Sequence, residues 1–115
     1  MRRFGLAAVI VGTVLAASSA FAQDSDADRQ HARAEFDRGV QLYTSGSYAS
    51  ALEAFQEAFR LAPHPTVRLN MANCYDHLNK PVEAIFHFEH YLTEAGRSAP
   101  AAQRRDVEAS LERLR

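Results

Sequence analysis

The sequence predicts an all-α fold made of short helices that pair as antiparallel hairpins. From about residue 30 onwards, apolar residues recur in steps of three and four, which is the period of a helix that buries one face. No segment alternates between apolar and polar residues over a useful length, so no strand is expected. All 4 prolines fall between the apolar runs, where helices begin or end.

The first two helices form one predicted hairpin. The first helix carries apolar residues at helical spacing, namely Ala34, Phe36, Val40, Leu42 and Tyr43, and the turn 45–47 interrupts it. The second helix repeats the same steps over Tyr48, Ala51, Leu52, Phe55, Ala58, Phe59 and Leu61. Pro63 and Pro65 end this helix, because proline cannot continue a helix and restricts the residue before it.

A second hairpin and a single last helix follow. The third helix carries Val67, Leu69, Met71, Ala72, Tyr75 and Leu78, and the turn 79–81 ends it. The fourth helix carries Val82, Ala84, Ile85, Phe88, Tyr91 and Leu92, and it ends near Gly96. The fifth helix starts at about residues 98–100, where serine can cap a helix and proline suits its first turn. Its apolar residues are Val107, Leu111 and Leu114.

Residues 1–22, which precede these helices, have the parts of a secretory signal peptide. Arg2 and Arg3 precede an uncharged apolar run at residues 4–17, and residues 20–22 (Ala-Phe-Ala) supply small side chains before an expected cleavage site at Gln23. The apolar run is shorter than the ~20 residues that a membrane-spanning helix needs, and an uncleaved anchor is the alternative. Residues 23–29 are polar and acidic, and we expect them to form a flexible leader.

Charge and cysteine content exclude several classes of protein. The net charge is −1, and removing Arg2 and Arg3 with the signal peptide leaves 11 basic side chains of the 13 against 14 acidic ones. This balance offers no basic surface for nucleic acid or anionic lipid, and no membrane insertion is expected after cleavage. The single cysteine, Cys74, cannot form a disulfide within the chain, and we interpret it as a small core residue.

An internal repeat relates the two predicted hairpins. A shift of 33 residues superposes Gly39 on Ala72, Gly46 on Asn79, Ala51 on Ala84, Phe55 on Phe88 and Ala58 on Tyr91. We expect the first of these pairs where two helices cross, because a larger side chain would push the helices apart. Gly46 and Asn79 are the residue types that tolerate a left-handed backbone at the end of a helix. Phe55 and Phe88 are predicted to fill the space between hairpins.

The segment 39–63 closely resembles the tetratricopeptide repeat pattern. Its signature positions hold Gly39, Gly46, Tyr48, Ala51, Phe55, Ala58 and Pro63. Residues 65–97 resemble a second copy, in which Ala84 and Phe88 match, Ala72 and Asn79 replace glycines, and Tyr91 stands where a small residue is usual. The resemblance divides residues 30–115 into a first repeat at about 32–64, a second at about 65–97 and a capping helix at about 99–115. It implies a short right-handed solenoid of stacked hairpins.

The resemblance also implies a concave surface, lined by the first helix of each repeat, that binds a peptide or protein. In that register the groove residues are Arg33, Phe36, Val40, Tyr43 and Thr44 in the first repeat and Leu69, Asn73, Asp76 and His77 in the second. Apolar residues gather at one end and polar residues at the other, which suits a peptide with hydrophobic anchors. The alternative is that Phe36 and Val40 pack only on the leader or on each other.

No residue pattern typical of catalysis or of a bound cofactor is found. His87 and His90 are three residues apart, but a zinc site needs three or four converging ligands, and no HExxH or paired-cysteine spacing is present. His77 follows Cys74 at a spacing of three, yet a reactive thiolate needs exposure and a third orienting group. Phosphate-binding glycine loops and the G-x-S-x-G motif are absent. We therefore predict no enzyme activity and no cofactor.

These features favour an exported scaffold for protein–protein interaction, periplasmic or secreted, with a role in envelope assembly or secretion. The alternative is a structural module that associates with itself. Two hairpins and a cap are few for an array that is stabilised by contacts between neighbouring repeats. A homodimer, or ordering by the partner, would supply the missing contacts.

Overall fold

The computed structural model describes the backbone of residues 16–115 and the side chains from residue 25 onwards, and it confirms the all-α fold. The elements are α1 (Ala16–Thr44), α2 (Tyr48–Leu61), α3 (Pro65–His77), α4 (Pro81–Ala95), a short 3₁₀ turn (Gly96–Ser98) and α5 (Ala101–Leu114). Within this range there is no strand. The helices pack in chain order, α1 on α2, α2 on α3, α3 on α4 and α4 on α5, as in a linear stack of hairpins.

Helix α1 begins earlier than the sequence pattern indicates. It has 29 residues, and residues 23–29, which we expected to form a flexible leader, are helical. No glycine or proline occurs between residues 16 and 38, and alanine, the strongest helix former, is frequent there. Residues 1–15 of the predicted signal peptide lie outside the described residues, and its cleavage stays a prediction. In residues 16–115, no helix combines the length and the apolar character that crossing a membrane requires.

The turns that close the two hairpins have the same conformation. Gly46 has a φ of 82° and Asn79 a φ of 56°, so both residues lie in the left-handed region expected for them. After each of them, the backbone N–H of the next residue, Ser47 or Lys80, donates to the carbonyl oxygen five residues earlier at 2.9 Å. This is the Schellman arrangement, which satisfies carbonyl groups at the end of a helix.

Helix α3 is shared by two hydrophobic cores. The core between α1, α2 and α3 contains Ala51, Leu52, Phe55, Ala58, Val67, Met71 and Cys74. The core between α3, α4 and α5 contains Leu69, Ala72, Ala84, Phe88, Tyr91, Ala99, Val107 and Leu111. Phe55 and Phe88 are 0% and 1% exposed, so neither ring reaches solvent. Because α3 contributes to both cores, the two hairpins are joined into one stack.

The helices of the first hairpin cross closely at Gly39. A Cβ atom placed on this residue would lie 2.6 Å from the ring of Phe55, so any side chain here would displace the ring. The equivalent residue of the second hairpin, Ala72, is completely buried. Small residues at these two positions therefore allow the close approach of the helices.

Candidate functional site

An open groove, here named the first groove, lies between the first helices of the two hairpins. It has a volume of about 480 Å³. Its walls come from α1, from the end of α2 and from the start of α3, and its lining residues are Arg29, Ala32, Arg33, Phe36, Asp37, Ala58, Ala62, His64, Thr66 and Val67. The first groove therefore lies between α1 and α3, which are the first helices of the two repeats.

The floor of the first groove is apolar and rests on the core. Ala58 and Val67 are 1% and 8% exposed and belong to the core between α1, α2 and α3. Phe36 is half-buried beside them, with its ring centroid 5.6 Å from that of Phe55. A large part of the groove can therefore receive an apolar side chain without any rearrangement of the helices.

The rim of the first groove carries charges of both signs, because Asp37 lies on α1 beside the two arginines. Arg29 and Arg33 are exposed on α1, and Arg29 pairs with Asp26 one helical turn earlier. On the opposite side, the ring Nδ1 of His64 accepts a hydrogen bond from the backbone N–H of Thr66 at 3.1 Å and so caps α3. An acidic group on a bound molecule would find guanidinium groups next to the apolar floor.

A second groove, lined by α3, α4 and the segment before α5, is related to the first by the 33-residue repeat. Six pairs of lining residues correspond between the second and the first groove, namely Pro65 and Ala32, Thr66 and Arg33, Tyr91 and Ala58, Ala95 and Ala62, Ala99 and Thr66, and Pro100 and Val67. The second groove has a volume of about 250 Å³, roughly half that of the first.

Tyr91 is the largest side chain that lines the second groove at a position where the first groove has a small one. It replaces Ala58 of the first repeat, and its side chain is 2% exposed in the same core as Leu69 and Ala99. Its hydroxyl group donates a hydrogen bond to Oε1 of Gln103 on α5 at 3.0 Å. The second repeat thus partly fills its own groove with an aromatic side chain, whereas the first repeat has an alanine at the equivalent position.

Sequence reasoning did not assign Ala32, Ala58, Ala62 and Val67 to the groove. Small and aliphatic residues at these positions follow the pattern of a helix core, so the sequence gives them no separate signature. The exchange of Ala58 for Tyr91 between repeats was the available signal, because a change from a small to a large residue at equivalent buried places alters the space between helices.

Two of the residues predicted for the groove, Arg33 and Phe36, line the first groove. Val40 lies further along α1, outside that lining, with 42% of its surface exposed. Thr44 ends α1, and its hydroxyl group donates to the carbonyl oxygen of Val40 at 2.9 Å. The apolar end of the predicted surface is therefore divided between a groove and an exposed helix face.

Leu69 is largely buried. It is 6% exposed and packs with Tyr91, Val107 and other residues of the core between α3, α4 and α5. Its equivalent in the first repeat, Phe36, is half-buried. Leu69 also lines a small cleft together with Asn73, so its assignment to a binding surface stays a prediction.

Tyr43 and His77, both predicted to contact a partner, contact each other. The hydroxyl group of Tyr43 lies 3.0 Å from Nε2 of His77, and the His77 ring stacks on Tyr48 with a centroid distance of 4.0 Å and an interplanar angle of 4°. Burial is the largest cause that raises the pKa of Tyr43 above its ordinary value. These three rings join α1, α2 and α3 at the far end of the concave side.

The remaining polar residues of the predicted groove lie towards α5. Asp76 is paired with the guanidinium group of Arg113, which ties α3 to α5. Asn73 borders a small polar cleft of about 190 Å³ between α3 and α5, with Asp106 and Ser110 on its other side. Asp76 is therefore engaged within the chain, while Asn73 remains partly accessible.

Cys74, which was considered above as a nucleophile, lies in the hydrophobic core. Cys74 is completely buried, and burial raises the pKa of its thiol to about 11, so the thiolate that a nucleophile requires does not form near neutral pH. Over the described part of the chain, no three His, Cys, Asp or Glu side chains converge as metal ligands would.

His87 belongs to a polar cluster on the outer side of the stack. Its Nδ1 lies 3.1 Å from Nη1 of Arg68, which can only donate, so the imidazole is the acceptor. Arg68 also lies 4.5 Å above the Phe59 ring centroid, and its Nε is 2.9 Å from Oε1 of Glu94. Burial lowers the pKa of His87, and the neighbouring charges of Arg68 and His90 lower it further.

Comparison with known proteins identifies a repeat family. The tetratricopeptide repeat model matches residues 3–64 and again residues 36–102, so the two matches begin 33 residues apart, which is the period found within the sequence. Together they cover most of the chain, and the first match begins inside the predicted signal peptide. No curated protein and no solved structure matches the chain.

Proposed function

The chain belongs to the tetratricopeptide repeat family, and on that premise we propose that it is a non-catalytic scaffold that binds a peptide or protein through the first groove. Proteins of this family generally mediate protein–protein interaction. The observation that carries the proposal is the first groove itself, an opening of about 480 Å³ with an apolar floor and two exposed arginines on its rim. Such a combination suits a peptide with a hydrophobic anchor and a polar neighbour.

Selection from a phage-displayed library of random peptides on the immobilised full chain tests this function. The selected peptides are expected to bind the wild type and to lose about tenfold in affinity on Phe36→Ala, because a half-buried anchor contact at the groove floor is removed. Gln41→Ala is the matched control, since Gln41 is exposed on the same helix and does not line the groove.

The groove assignment fails if the selected peptides bind Phe36→Ala and the wild type equally well. Circular dichroism of both variants shows whether each remains folded, because Phe36 also packs against the core. Recovery of no peptide above background would contradict the peptide-binding function as a whole.

We further propose that the protein is exported to the periplasm, where it acts in envelope assembly or secretion. The support is the basic start, the apolar run and the small residues before Gln23. Expression of the full gene in a Gram-negative host, followed by fractionation and N-terminal sequencing, is the test. A mature chain that starts at Gln23 in the periplasmic fraction is expected, whereas an intact Met1 in the cytoplasmic fraction would contradict export.

Self-association is a second candidate function, favoured by the outer face of α4. Val82 is 76% exposed and Phe86 is 50% exposed, and their spacing of four places both on one side of the helix. A homodimer would then show a mass that rises with concentration in sedimentation velocity and that Phe86→Glu returns to that of a monomer. A monomer at all concentrations would exclude this role.

A further inference from the structure

The second groove shows what kind of group fits the first. Tyr91 occupies the space between α3, α4 and the start of α5, and the residue equivalent to it in the first repeat is Ala58 on the floor of the open groove. The backbone frames are alike, because both repeats end their first helix with the same left-handed turn and bury an equivalent phenylalanine. The first groove is therefore shaped like a site whose internal aromatic side chain has been removed.

We propose that the first groove binds a peptide by an aromatic side chain, which takes the place that Tyr91 takes one repeat later. This inference rests on the proposed function, since it specifies the anchor of the peptide that the groove receives. A cavity with an apolar lining can bind an aromatic guest, and the equivalent place of the second repeat holds an aromatic ring. The partner is thus identified by a tyrosine or phenylalanine side chain.

The polar end of the Tyr91 phenol ring has no equivalent partner in the first groove. The Tyr91 hydroxyl group donates to Gln103, which lines the second groove, and the residue 33 positions before Gln103 is Asn70 on α3. Asn70 is not one of the residues that line the first groove, and its amide nitrogen donates to the Thr66 carbonyl oxygen at 3.1 Å. The anchor is therefore defined by its aromatic ring, and tyrosine and phenylalanine are both expected to fit.

The rim indicates the residue next to the anchor. Arg33 and Arg29 of the first groove are replaced by Thr66 and Ala62 at the equivalent positions of the second repeat, so these two arginines occur only at the first groove of the pair. Arg29 is paired with Asp26, and Asp37 lies on the same rim, so Arg33 is the cation that we expect to contact the peptide. Charge complementarity then places one aspartate or glutamate beside the aromatic residue of the peptide. The occupant of the groove is an extended peptide with an aromatic anchor and one acidic neighbour.

Nuclear magnetic resonance on the ¹⁵N-labelled full chain tests the anchor with three small probes. The probe p-cresol represents the tyrosine side chain, toluene represents phenylalanine and isobutanol represents an aliphatic side chain. We expect p-cresol to shift the amide signals of Ala58, Ala62 and Val67 with a dissociation constant in the millimolar range, as befits so small a ligand. Toluene is expected to bind about as well as p-cresol, and isobutanol at least tenfold more weakly than either.

Two variants exchange the grooves. Ala58→Tyr places in the first groove the residue that fills the second, and it should abolish the p-cresol shifts, whereas Ala49→Tyr on the exposed side of α2 should leave them unchanged. Tyr91→Ala should open the second groove and add shifts at Ala95 and Ala99. Should Ala58→Tyr fail to fold, the wild type and Tyr91→Ala still decide the question.

Equal binding of isobutanol and p-cresol, or full p-cresol binding by folded Ala58→Tyr, would overturn the aromatic anchor. Peptides selected on the wild type give a separate result. Aliphatic anchors in these peptides would overturn this inference and leave the peptide-binding function standing, whereas recovery of no peptide would overturn both. Peptides with a tyrosine or phenylalanine beside an acidic residue, weakened several-fold by Arg33→Glu, would support the inference.

Discussion

The first and second grooves occupy equivalent places in successive repeats, yet the second has about half the volume of the first and is partly filled by its own Tyr91. Their backbone frames are alike, since the turns at Gly46 and Asn79 match and the rings of Phe55 and Phe88 are both buried. The exchange of Ala58 for Tyr91 is the largest change in side-chain size among the six equivalent positions that line both grooves, although the rims also differ, with Arg33 in place of Thr66. The buried residues that the two repeats share therefore hold the helices in a stack. The residue at the position of Ala58 and Tyr91, which differs between the repeats, affects how much space is left for a bound peptide.

Filling the second groove also has a structural consequence. The Tyr91 hydroxyl group is bonded to Gln103, so the ring that partly fills the groove also joins α4 to α5. The Asp76–Arg113 pair adds a second link from α3 to α5. The second repeat uses its groove to attach the last helix, while the first repeat keeps its groove accessible.

The largest effects are expected from the two phenylalanines below the grooves. Phe55→Ala and Phe88→Ala should each destabilise the protein by about 4 kcal/mol, because each removes a fully buried ring and leaves a cavity. That loss approaches the whole stability of a small domain. Urea unfolding followed by circular dichroism measures both. A difference of more than about 2 kcal/mol between the two variants would show that the repeat frames are not equivalent.

The second groove should be more sensitive than the first to loss of its central side chain. Tyr91→Ala is expected to cost about 3 kcal/mol, since a 2% exposed ring is lost, whereas Tyr91→Phe should cost about 1 kcal/mol because only the bond to Gln103 is removed. The same unfolding experiment applies. Equal stability of Tyr91→Ala and the wild type would mean that the ring does not support the stack.

The two turns provide a smaller and matched test. Gly46→Ala and Asn79→Ala should each cost about 1 kcal/mol, because alanine is strained at a positive φ. No heavy atom lies within 4 Å of a Cβ placed on Gly46, so strain and not a clash causes its loss. Asn79→Gly serves as the control and should be nearly neutral. Thermal unfolding gives the values, and a destabilisation by Asn79→Gly as large as that by Asn79→Ala would contradict the argument.

Between about pH 7.5 and about pH 5, acidity should act on His87 of the second repeat, and we expect this effect to be the smallest. His87 stands where the first repeat has Ala54, and its pKa is lowered below the ordinary value of 6.5 by burial and then by Arg68 and His90. The unfolded chain therefore binds the proton more readily than the folded chain. The stability contributed by neutral His87 is complete above about pH 6.5 and is lost as the pH falls through the lowered folded pKa.

Melting temperatures measured from about pH 7.5 down to about pH 5 check this direction. The decline should be smaller in His87→Gln, whose amide oxygen can still accept from Arg68 but does not titrate. His90→Gln is the matched control, because His90 is exposed on the same helix, and it should keep most of the decline. The same pH dependence in His87→Gln and the wild type would assign the effect to other groups.

The sequence predicted the hairpins well because local chemistry determines their ends. Pro63 and Pro65 cannot continue a helix, and Gly46 and Asn79 tolerate the left-handed turn that the structure shows. It predicted the start of α1 poorly, since polar residues without glycine or proline are compatible with both a leader and a helix, and residues 23–29 are helical.

The candidate site was predicted only in part. Arg33 and Phe36 line the first groove, but Leu69 is buried and Tyr43 and His77 contact each other. A helical period places a residue on one face of its helix, and it does not show which neighbouring side chain covers that face.

By itself, the sequence determined that this chain forms two helical hairpins with a period of 33 residues, because helix breakers and apolar spacing act between near neighbours in the chain. Only the tertiary structure decided how large each of the two equivalent grooves is. The volume between helices depends on how side chains such as Ala58 and Tyr91 pack against the next helix, and that packing is a property of the folded chain.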